Sequence, residues 1–429
     1  MRKLFFAIST GILLFSGCTD KVTETVTYMI NEPVFMSEIE FRNSVKITDN
    51  QVPISNYGKI CFYQGYIFIS ESEKGIHIVN NSDPKNPQQV GFIELLGNAD
   101  LAIRNGKLYA DALVDLVWFD ISNPSKPELE GRLENVFAKS LPLPPTDNDF
   151  GIDAAMCYEN YGSKGVIVGW ELKKRTETNT YTTGGWGGWG RYEGAEMMTD
   201  NSPKGNGSST YGITGSMSRF AQYNDYLYSV INNIMNIINL SGSAPVKAAD
   251  DVYVGSNVET IFSYKDHMFM GTPTGMIIFS VENPENPVFV SSAWHVFGCD
   301  PVVVEDDIAY VTIHSGNNCG QNVNELIIYD VSDVKNPALI VSYSMKQPKG
   351  LGIDNGTLFV CDDGLKIFNA SNPQTIMANS LAHYSGMSGY DVIPFQNVLI
   401  MIAEEGLYQY DYSNLNEIYL LSVLPFEKR

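Results

Sequence analysis

The sequence has little positive charge. Across 429 residues, 28 lysines and arginines stand against 49 aspartates and glutamates, and the formal net charge at pH 7 is -21. No basic stripe is visible that would offset repulsion from phosphate groups. We therefore expect no nucleic-acid partner.

Histidines and catalytic motifs are also scarce. The chain has five histidines, His77, His267, His295, His314 and His383. It contains no G-x-S-x-G elbow, H-E-x-x-H helix, P-loop or dinucleotide fingerprint, which excludes the enzyme classes that depend on those motifs. A hydrolase or lyase that uses paired Asp and Glu side chains stays open, since such a pair needs none of these motifs. A function without catalysis is favoured.

Only one apolar run stands out, at the start of the chain. Arg2 and Lys3 precede an apolar stretch over residues 4–15, which is too short to span a bilayer. Phe15-Ser16-Gly17-Cys18 is typical of a bacterial lipobox. We expect a signal peptide over residues 1–17, diacylglycerol on Cys18 and a tether over residues 18–36. The alternative is an ordinary signal with a chance cysteine.

This lipobox predicts a lipid bilayer as one partner of the protein. It also predicts an outer-membrane or cell-surface lipoprotein, with the periplasmic leaflet left open. The sequence does not decide between these leaflets.

Cysteine is limited to six residues. Cys299 and Cys319 flank a predicted hairpin, so a disulfide between them is allowed in an oxidising envelope. A metal site that includes His314 is the rival interpretation, although this spacing matches no zinc pattern. The remaining Cys61, Cys157 and Cys361 are typical of buried thiols.

A repeated phrase dominates the rest of the chain. An apolar strand is followed by Ser-Asn/Asp-Pro-x-x-Pro and a second strand, as in GIHIVNNSDPKNPQQVGFI from Gly75 and LVWFDISNPSKPELEGRL from Leu116. Asp or Asn should accept hydrogen bonds from the turn backbone, and the second Pro should begin an edge strand. Upstream of each phrase, two more strands join through a tight turn such as Asn105-Gly106 or Asn355-Gly356.

Each unit therefore has four antiparallel strands, A to D, and spans about 40 residues, the length of a propeller blade. We predict an all-β fold, a β-propeller of about seven four-stranded blades, with eight left open. Residues 37–429 form one domain, which we expect to be a monomer. A long insertion over residues 137–215 separates the second and third blades, and a strand from Gly165 leaves an eighth blade open.

Blade topology places the A-strand starts and the B–C loops on one face of the propeller. A ring of acids is expected there, which could bind a cation such as Ca²⁺ or receive a polyhydroxyl ligand. The alternative is structural, with the acids only solvating strand ends and accepting hydrogen bonds. The candidate face consists of Asp100, Asp111, Asp115, Glu259, Asp300, Asp362, Asp363, Asp391 and Glu404.

The insertion should emerge on the same face. Its aromatic residues could form a binding lip, because exposed aromatics beside glycine are adaptable contact surfaces. A disordered loop with incidental aromatics is the alternative. The candidate lip residues are Trp170, Trp186 and Trp189.

The repeats GIHIVNNSDPKNP, LVWFDISNPSKP and LIIYDVSDVKNP resemble the LVIVD-repeat family of β-propellers. The lipobox and the following CTDKVTETVTYMINEPVFMS resemble that family's lipoproteins in Bacteroidota-type bacteria. The resemblance implies an envelope propeller and transfers no catalytic residue. We expect a binding or scaffold propeller for a protein, peptide or glycan, without a cofactor. A carbohydrate-active hydrolase or lyase is the alternative.

Overall fold

The computed structural model describes residues 21–137, 140–145, 147–148, 150–160, 163–182, 213–231, 233–255, 258–294, 301–315 and 323–427. Seven antiparallel sheets follow one another along the chain. The A strand of each sheet contacts the A strand of the next, and the A strand of the seventh contacts that of the first. The chain is thus a closed propeller of seven blades, as the repeat predicts.

Blades 1 to 3 occupy the first part of the described chain. The strands of blade 1 are Tyr57–Tyr63, Tyr66–Glu71, Gly75–Asn80 and Gln88–Glu94. Those of blade 2 are Leu101–Arg104, Lys107–Ala112, Asp115–Asp120 and Glu128–Leu133. Blade 3 has Phe220–Tyr223, Tyr226–Ile231 and Ile234–Asn239, and its outer strand is split into Val246–Lys247 and Val252–Tyr253. The split coincides with the loss of the proline turn from this copy of the repeat.

Blades 4 to 7 are more regular. Blade 4 has Thr260–Tyr264, His267–Thr272, Gly275–Ser280 and Val288–Trp294, and blade 5 has Val302–Glu305, Ile308–Ile313, Glu325–Asp330 and Ala338–Ser344. Blade 6 has Leu351–Asp354, Thr357–Val360, Leu365–Asn369 and Ser380–Tyr384, with a 3-10 helix over Pro373–Asn379. Blade 7 has Gly389–Phe395, Val398–Ala403, Gly406–Asp411 and Tyr419–Pro425. Buried aliphatic and aromatic side chains of adjacent blades pack together between the sheets.

The predicted turn chemistry is confirmed. Asp330 ends a C strand and its carboxylate accepts from the backbone N–H of Ser332 at 2.9 Å, and the carboxylate of Asp333 accepts from Lys335 N at 3.0 Å. Equivalent pairs of bonds recur at the C–D turns of blades 1, 6 and 7. The A–B turns have the positive φ angles of two-residue hairpin loops, 49° and 76° at Asn105 and Gly106.

The two kinds of turn meet on one side of every blade. The residue that follows each C strand donates its backbone N–H to the A–B turn of the same blade, for example Asn81 to Gly65 and Ile121 to Gly106, both at 2.7 Å. We call this side the turn face, and the opposite side, where the A strands begin, the mouth face. The sequence correctly predicts this division.

Two segments outside the seven blades correct the sequence analysis. The strand predicted from Gly165 exists as Val166–Thr182, but it pairs with Lys21–Met36 in a two-stranded antiparallel ribbon. The eighth blade is therefore wrong, and residues 21–36 of the expected tether are a strand. The ribbon is fixed to the remainder of the insertion where Asp153 N donates to Asn31 O at 2.9 Å and the Asp153 carboxylate pairs with Arg175 at 2.5 Å.

Four short elements complete the described chain. Glu38–Arg42 is a helix capped by Ser37, and Ala154–Asn160 is a helix within the insertion. Lys46–Thr48 pairs with the outer strand of blade 1. Ile213–Thr214 pairs with the inner strand of blade 1, which places the chain that returns from the insertion on the propeller axis.

Candidate functional site

The central channel is occupied by residues 213–219, which we call the axial segment. Ile213 and Thr214 pair with Phe62 and Cys61 of the innermost strand of blade 1. Further along, Ser218 O accepts from Ile261 N of blade 4 at 2.9 Å. The axial segment thus contacts blades on different sides of the axis, and it closes the channel below the mouth face.

Asp391 holds one end of this segment. Its carboxylate accepts from Ser216 N at 3.1 Å, Ser216 Oγ at 3.0 Å and Met217 N at 3.2 Å. Ser216 Oγ also accepts from Leu351 N of blade 6 at 2.9 Å. Burial raises the pKa of Asp391 to about 6, against the opposing effect of Lys59. Asp391 therefore joins blades 6 and 7 to the axial segment.

Asp100 holds the other end. Its carboxylate accepts from Ser218 Oγ at 2.8 Å, from the backbone N–H of Arg219, and from Leu101 N at 2.8 Å. Its side chain is fully buried, and burial raises its pKa, against the opposing effects of Lys59 and Arg219. Both acids point at the chain itself, so neither is available to a ligand in solvent.

Other acids of the predicted face are also held by the chain. The Oδ1 atom of Asp111 accepts from Ala99 N at 2.7 Å and Asp100 N at 2.8 Å, and burial raises the pKa of Asp111 to about 6. Asp115 pairs with Arg132 at 2.9 Å and with Arg42 at 3.2 Å. These contacts favour the structural alternative for both residues.

In blade 6, Asp362 is buried and accepts from Gln347 N and Lys366 Nζ, both at 2.6 Å. Its neighbour Asp363 pairs with Lys346 at 2.6 Å. Glu404 of blade 7 is solvent-exposed. The structure does not bring these residues and Asp100 together as a ring of free carboxylates.

The strand register explains the difference. Each blade has an inner-strand residue whose partner on the B strand lies two positions before the end of that strand in blades 1 to 5 and 7, and the residue directly before it occupies an equivalent position in every blade. In blade 6 the bond from Cys361 N to Gly350 O fixes the same position. This ring position is occupied by Lys59, Asp100, Arg219, Thr260, Pro301, Gly350 and Asp391. In the sequence, Glu259 and Asp300 stand one residue before this position. The ring itself carries both charge signs, because two basic and two acidic residues occupy it.

Above the axial segment, the mouth face contains a pocket of about 370 Å³, which we call the axial pocket. Blades 1, 2, 3, 4, 5 and 7 contribute to it, together with one residue of the insertion. Its lining consists of Asn56, Tyr57, Gly58, Lys59, Ser70, Ser72, Ala99, Leu143, Met217, Arg219, Val258, Glu259, Thr260, Pro301, His314 and Tyr390.

Charged and aromatic groups meet in this pocket. Lys59 Nζ lies 5.9 Å from the centre of the Tyr390 ring, and Tyr390 packs edge-on against Tyr57 with ring centres 5.6 Å apart. Burial raises the pKa of Glu259 to about 7, against the opposing effect of Lys59. The pocket offers two cations, a carboxyl group that titrates near neutrality and aromatic faces.

The insertion supports the pocket wall through Leu143. Its backbone carbonyl accepts from Trp170 Nε1 at 2.9 Å, and its backbone N–H opposes the rise in the pKa of Glu73. Trp170, a predicted lip residue, is half-buried and thus acts on the pocket through Leu143. Burial raises the pKa of Glu73, and the nearby Arg219 opposes this.

A second cavity, of about 430 Å³, lies at the turn face between blades 1 and 7. It is lined by neutral side chains of two neighbouring blades, including Phe62, Asn81 and Phe395. Although it is slightly larger, no charged group lines it. The axial pocket is the stronger candidate because polar and charged groups from five blades converge there.

Several predicted residues lie outside the described chain. These are Cys18, Trp186, Trp189, Cys299, Asp300 and Cys319. Cys61, Cys157 and Cys361 are buried free thiols, as the sequence indicates. Within the described ranges, no group of three or more His, Cys, Asp or Glu is placed to hold a metal ion, which leaves Ca²⁺ without such a site there. Across the same ranges, no helix has the length and apolar character needed to cross a membrane.

From the sequence, Lys59, Arg219, Tyr57 and Tyr390 are not predicted as site residues, and His314 is considered only as a metal ligand. A signal existed for Lys59 and Arg219, because each directly precedes the buried residues of an inner strand, as Asp100 does. A candidate face that consists of acids alone leaves out the two basic residues at equivalent positions of the ring. The tyrosines and His314 carry no local signal, since blade closure brings them to the pocket.

A comparison with family profiles agrees with the repeat. The family profile "LVIVD repeat" matches residues 100–134 and 318–345. A search of curated proteins finds no match.

Similar solved structures include the computationally designed Ika8 protein, with 9% identity, a TM-score of 0.48 and coverage of 87% of this chain and 88% of that one. Kluyveromyces lactis Hsv2 has 9% identity and a TM-score of 0.45, and the match covers 85% of this chain and 96% of that one. BamB from Moraxella catarrhalis has 8% identity and a TM-score of 0.43, with 90% and 97% covered. The strand pairing and the repeat match identify the chain as a seven-bladed β-propeller that contains LVIVD repeats.

Proposed function

We propose that this propeller is a non-catalytic binding protein of the bacterial envelope that takes up part of a protein, peptide or glycan ligand in the axial pocket. The axial pocket is the main observation that supports this proposal. Its volume of about 370 Å³ lies within the usual range for ligand sites, and its polar groups converge from five blades. The axial segment closes the channel below the pocket, so it would form the bottom of the binding site.

The axial pocket can be filled by a substitution that leaves its charged residues unchanged. Met217 is half-buried and lines the pocket. Met217→Trp should fill part of the space, and a matched control, Leu339→Trp, alters an exposed position on the outer strand of blade 5. The test applies both variants and the native protein to glycan and peptide arrays. Spots bound by the native protein should be lost with Met217→Trp and kept with Leu339→Trp. Equal binding by all three proteins would contradict the proposal.

Anchoring through Cys18 is the second part of the proposal, and the lipobox supports it. Cys18→Ser should release the expressed protein from the membrane fraction and abolish incorporation of radiolabelled palmitate. Ser9→Ala, within the apolar stretch, should change neither result. Membrane retention and labelling of the Cys18→Ser protein would rule out this anchor.

One observation favours a second candidate function, a carbohydrate-active hydrolase or lyase. Glu259 lines the pocket, and a carboxyl group with a pKa of about 7 suits general acid catalysis. Glycosidases use a second carboxylate about 5 to 10 Å from the first. Glu259 is the only acid among the described lining residues. Release of reducing sugar from array-positive glycans, abolished by Glu259→Gln, would favour the enzyme.

A further inference from the structure

Two cations face the axial pocket from equivalent positions of the ring. Lys59 and Arg219 directly precede Ile60 and Phe220, which are equivalent residues of the inner strands of blades 1 and 3, and both cations are half-exposed. Within the described residues, neither side chain has a carboxylate oxygen within 4 Å. By contrast, Arg132 and Lys366 form direct ion pairs with Asp115 and Asp362.

Among the described residues, the two buried acids of the ring are already engaged. Asp391 accepts from the backbone N–H groups of Ser216 and Met217, and Asp100 accepts from those of Arg219 and Leu101. Lys59 attracts Glu259, and Arg219 attracts Glu73, through longer-range electrostatic interaction without a direct ion pair. With its pKa raised to about 7, Glu259 carries only part of a negative charge at neutral pH. The hydrogen-bonding capacity of the two cations therefore remains available to a ligand.

The aromatic groups further restrict the chemical class of ligand that the pocket can bind. Tyr390 lies beside Lys59, and Tyr57 packs against Tyr390 at the same wall. Tyrosine faces suit the C–H surface of a sugar ring, while hydroxyl groups of Ser72 and Thr260 line the pocket beside them. A pocket of about 370 Å³ suits one or two sugar units.

We propose that the axial pocket binds a sugar acid, whose carboxylate is held by Lys59 and Arg219 and whose ring lies against the tyrosine wall. This inference rests on the proposed function, since it names the ligand of the same pocket. The competing explanation is that the two cations only offset the buried charges of Asp100 and Asp391. In that case their removal would lower stability and leave ligand selection unchanged.

Calorimetric titrations with D-galacturonate, D-galactose and acetate test the inference on the full mature chain. Galacturonate should bind, galactose should bind at least roughly tenfold more weakly, and acetate should bind more weakly than galacturonate because it lacks the ring. Lys59→Met and Arg219→Met should each weaken galacturonate binding roughly tenfold, since each removes a charge-assisted hydrogen bond. Lys265→Met, which alters an exposed lysine at the turn face, should leave binding unchanged.

Thermal unfolding identifies any variant that fails to fold, and Lys59→Gln then replaces Lys59→Met. Equal affinity for galactose and galacturonate, with both lost in Met217→Trp, would overturn the acid preference and leave the proposed function intact. Binding of array peptides but of no sugar would overturn the sugar-acid inference alone. Galacturonate binding that survives Met217→Trp, Lys59→Met and Arg219→Met would place the site elsewhere and contradict both proposals.

Discussion

At the scale of single residues, the acids of this propeller serve mainly to fix the chain. The same carboxylate can solvate a strand end or organise a buried turn, and the sequence does not distinguish these cases. Asp100 and Asp391 are buried because a distant segment, residues 213–219, packs over them. Their hydrogen bonds join residues more than 100 positions apart. This separation is why their burial could not be predicted from the sequence.

Asp111 offers a test of this view through pH. Burial raises its pKa from 3.8 to about 6, so the ionised form is disfavoured in the folded protein. Its stabilising contribution is present below its unfolded pKa and is lost as pH rises through about 6. Asp111→Asn keeps the Oδ1 acceptor used by Ala99 and Asp100 and removes the charge. Relative to native protein, this variant should gain about 1 to 3 kcal/mol of unfolding free energy between pH 4 and pH 7.

Urea unfolding at a series of pH values measures this gain, with the exposed Asp120→Asn as control. A difference between native and Asp111→Asn that stays constant across this range would contradict the burial of an ionisable Asp111. A difference that widens as pH falls would contradict the sign of its pKa shift.

At the scale of elements, local chemistry explains most of what could be predicted. Hairpin dipeptides, Asx turns and prolines act within a few residues, so the sequence correctly predicts the four strands of each blade and the separation of the two faces. The ribbon could not be predicted in this way, since Lys21–Met36 and Val166–Thr182 pair across the chain. The position of Glu259, one residue before the ring, could not be predicted because a one-residue change in an approach loop shifts the position without altering the strand pattern.

The A–B turn of blade 6 provides a prediction at this scale. Gly356 has a φ of 73°, and a Cβ added there would meet nothing within 4 Å. Gly356→Ala should therefore lower the free energy of unfolding by about 1 to 2 kcal/mol through backbone strain alone. Gly169→Ala is a matched control, because its Cβ is equally unhindered and its φ is ordinary. Chemical unfolding that shows equal effects for the two variants would contradict the left-handed turn.

At the scale of the whole molecule, a closed ring of blades explains both stability and the site. Blades 1 and 7 share a buried apolar cluster that includes Ile60, Ile69 and Ile402. Across the same junction the buried Asn81 and Gln409 exchange two side-chain hydrogen bonds, at 2.8 and 2.7 Å. Closure brings Lys59 and Tyr390 together at the mouth, so the pocket exists only in the complete ring.

The Asn81–Gln409 pair tests ring closure. Gln409→Leu should cost about 1 to 3 kcal/mol, because it leaves the buried Asn81 amide without this partner. The double variant Asn81→Leu/Gln409→Leu should recover part of that loss, since it removes both polar groups. Chemical unfolding of the single and double variants measures the coupling. Strictly additive losses would contradict a direct interaction across the junction.

Entry of ligands into the axial pocket on the mouth face can be observed in a crystal structure of the protein with a ligand selected on the arrays. We expect ligand density in the axial pocket, with a ligand oxygen in hydrogen-bonding distance of Lys59 or Arg219. Density at the turn face or along the ribbon, with the axial pocket empty, would contradict this expectation.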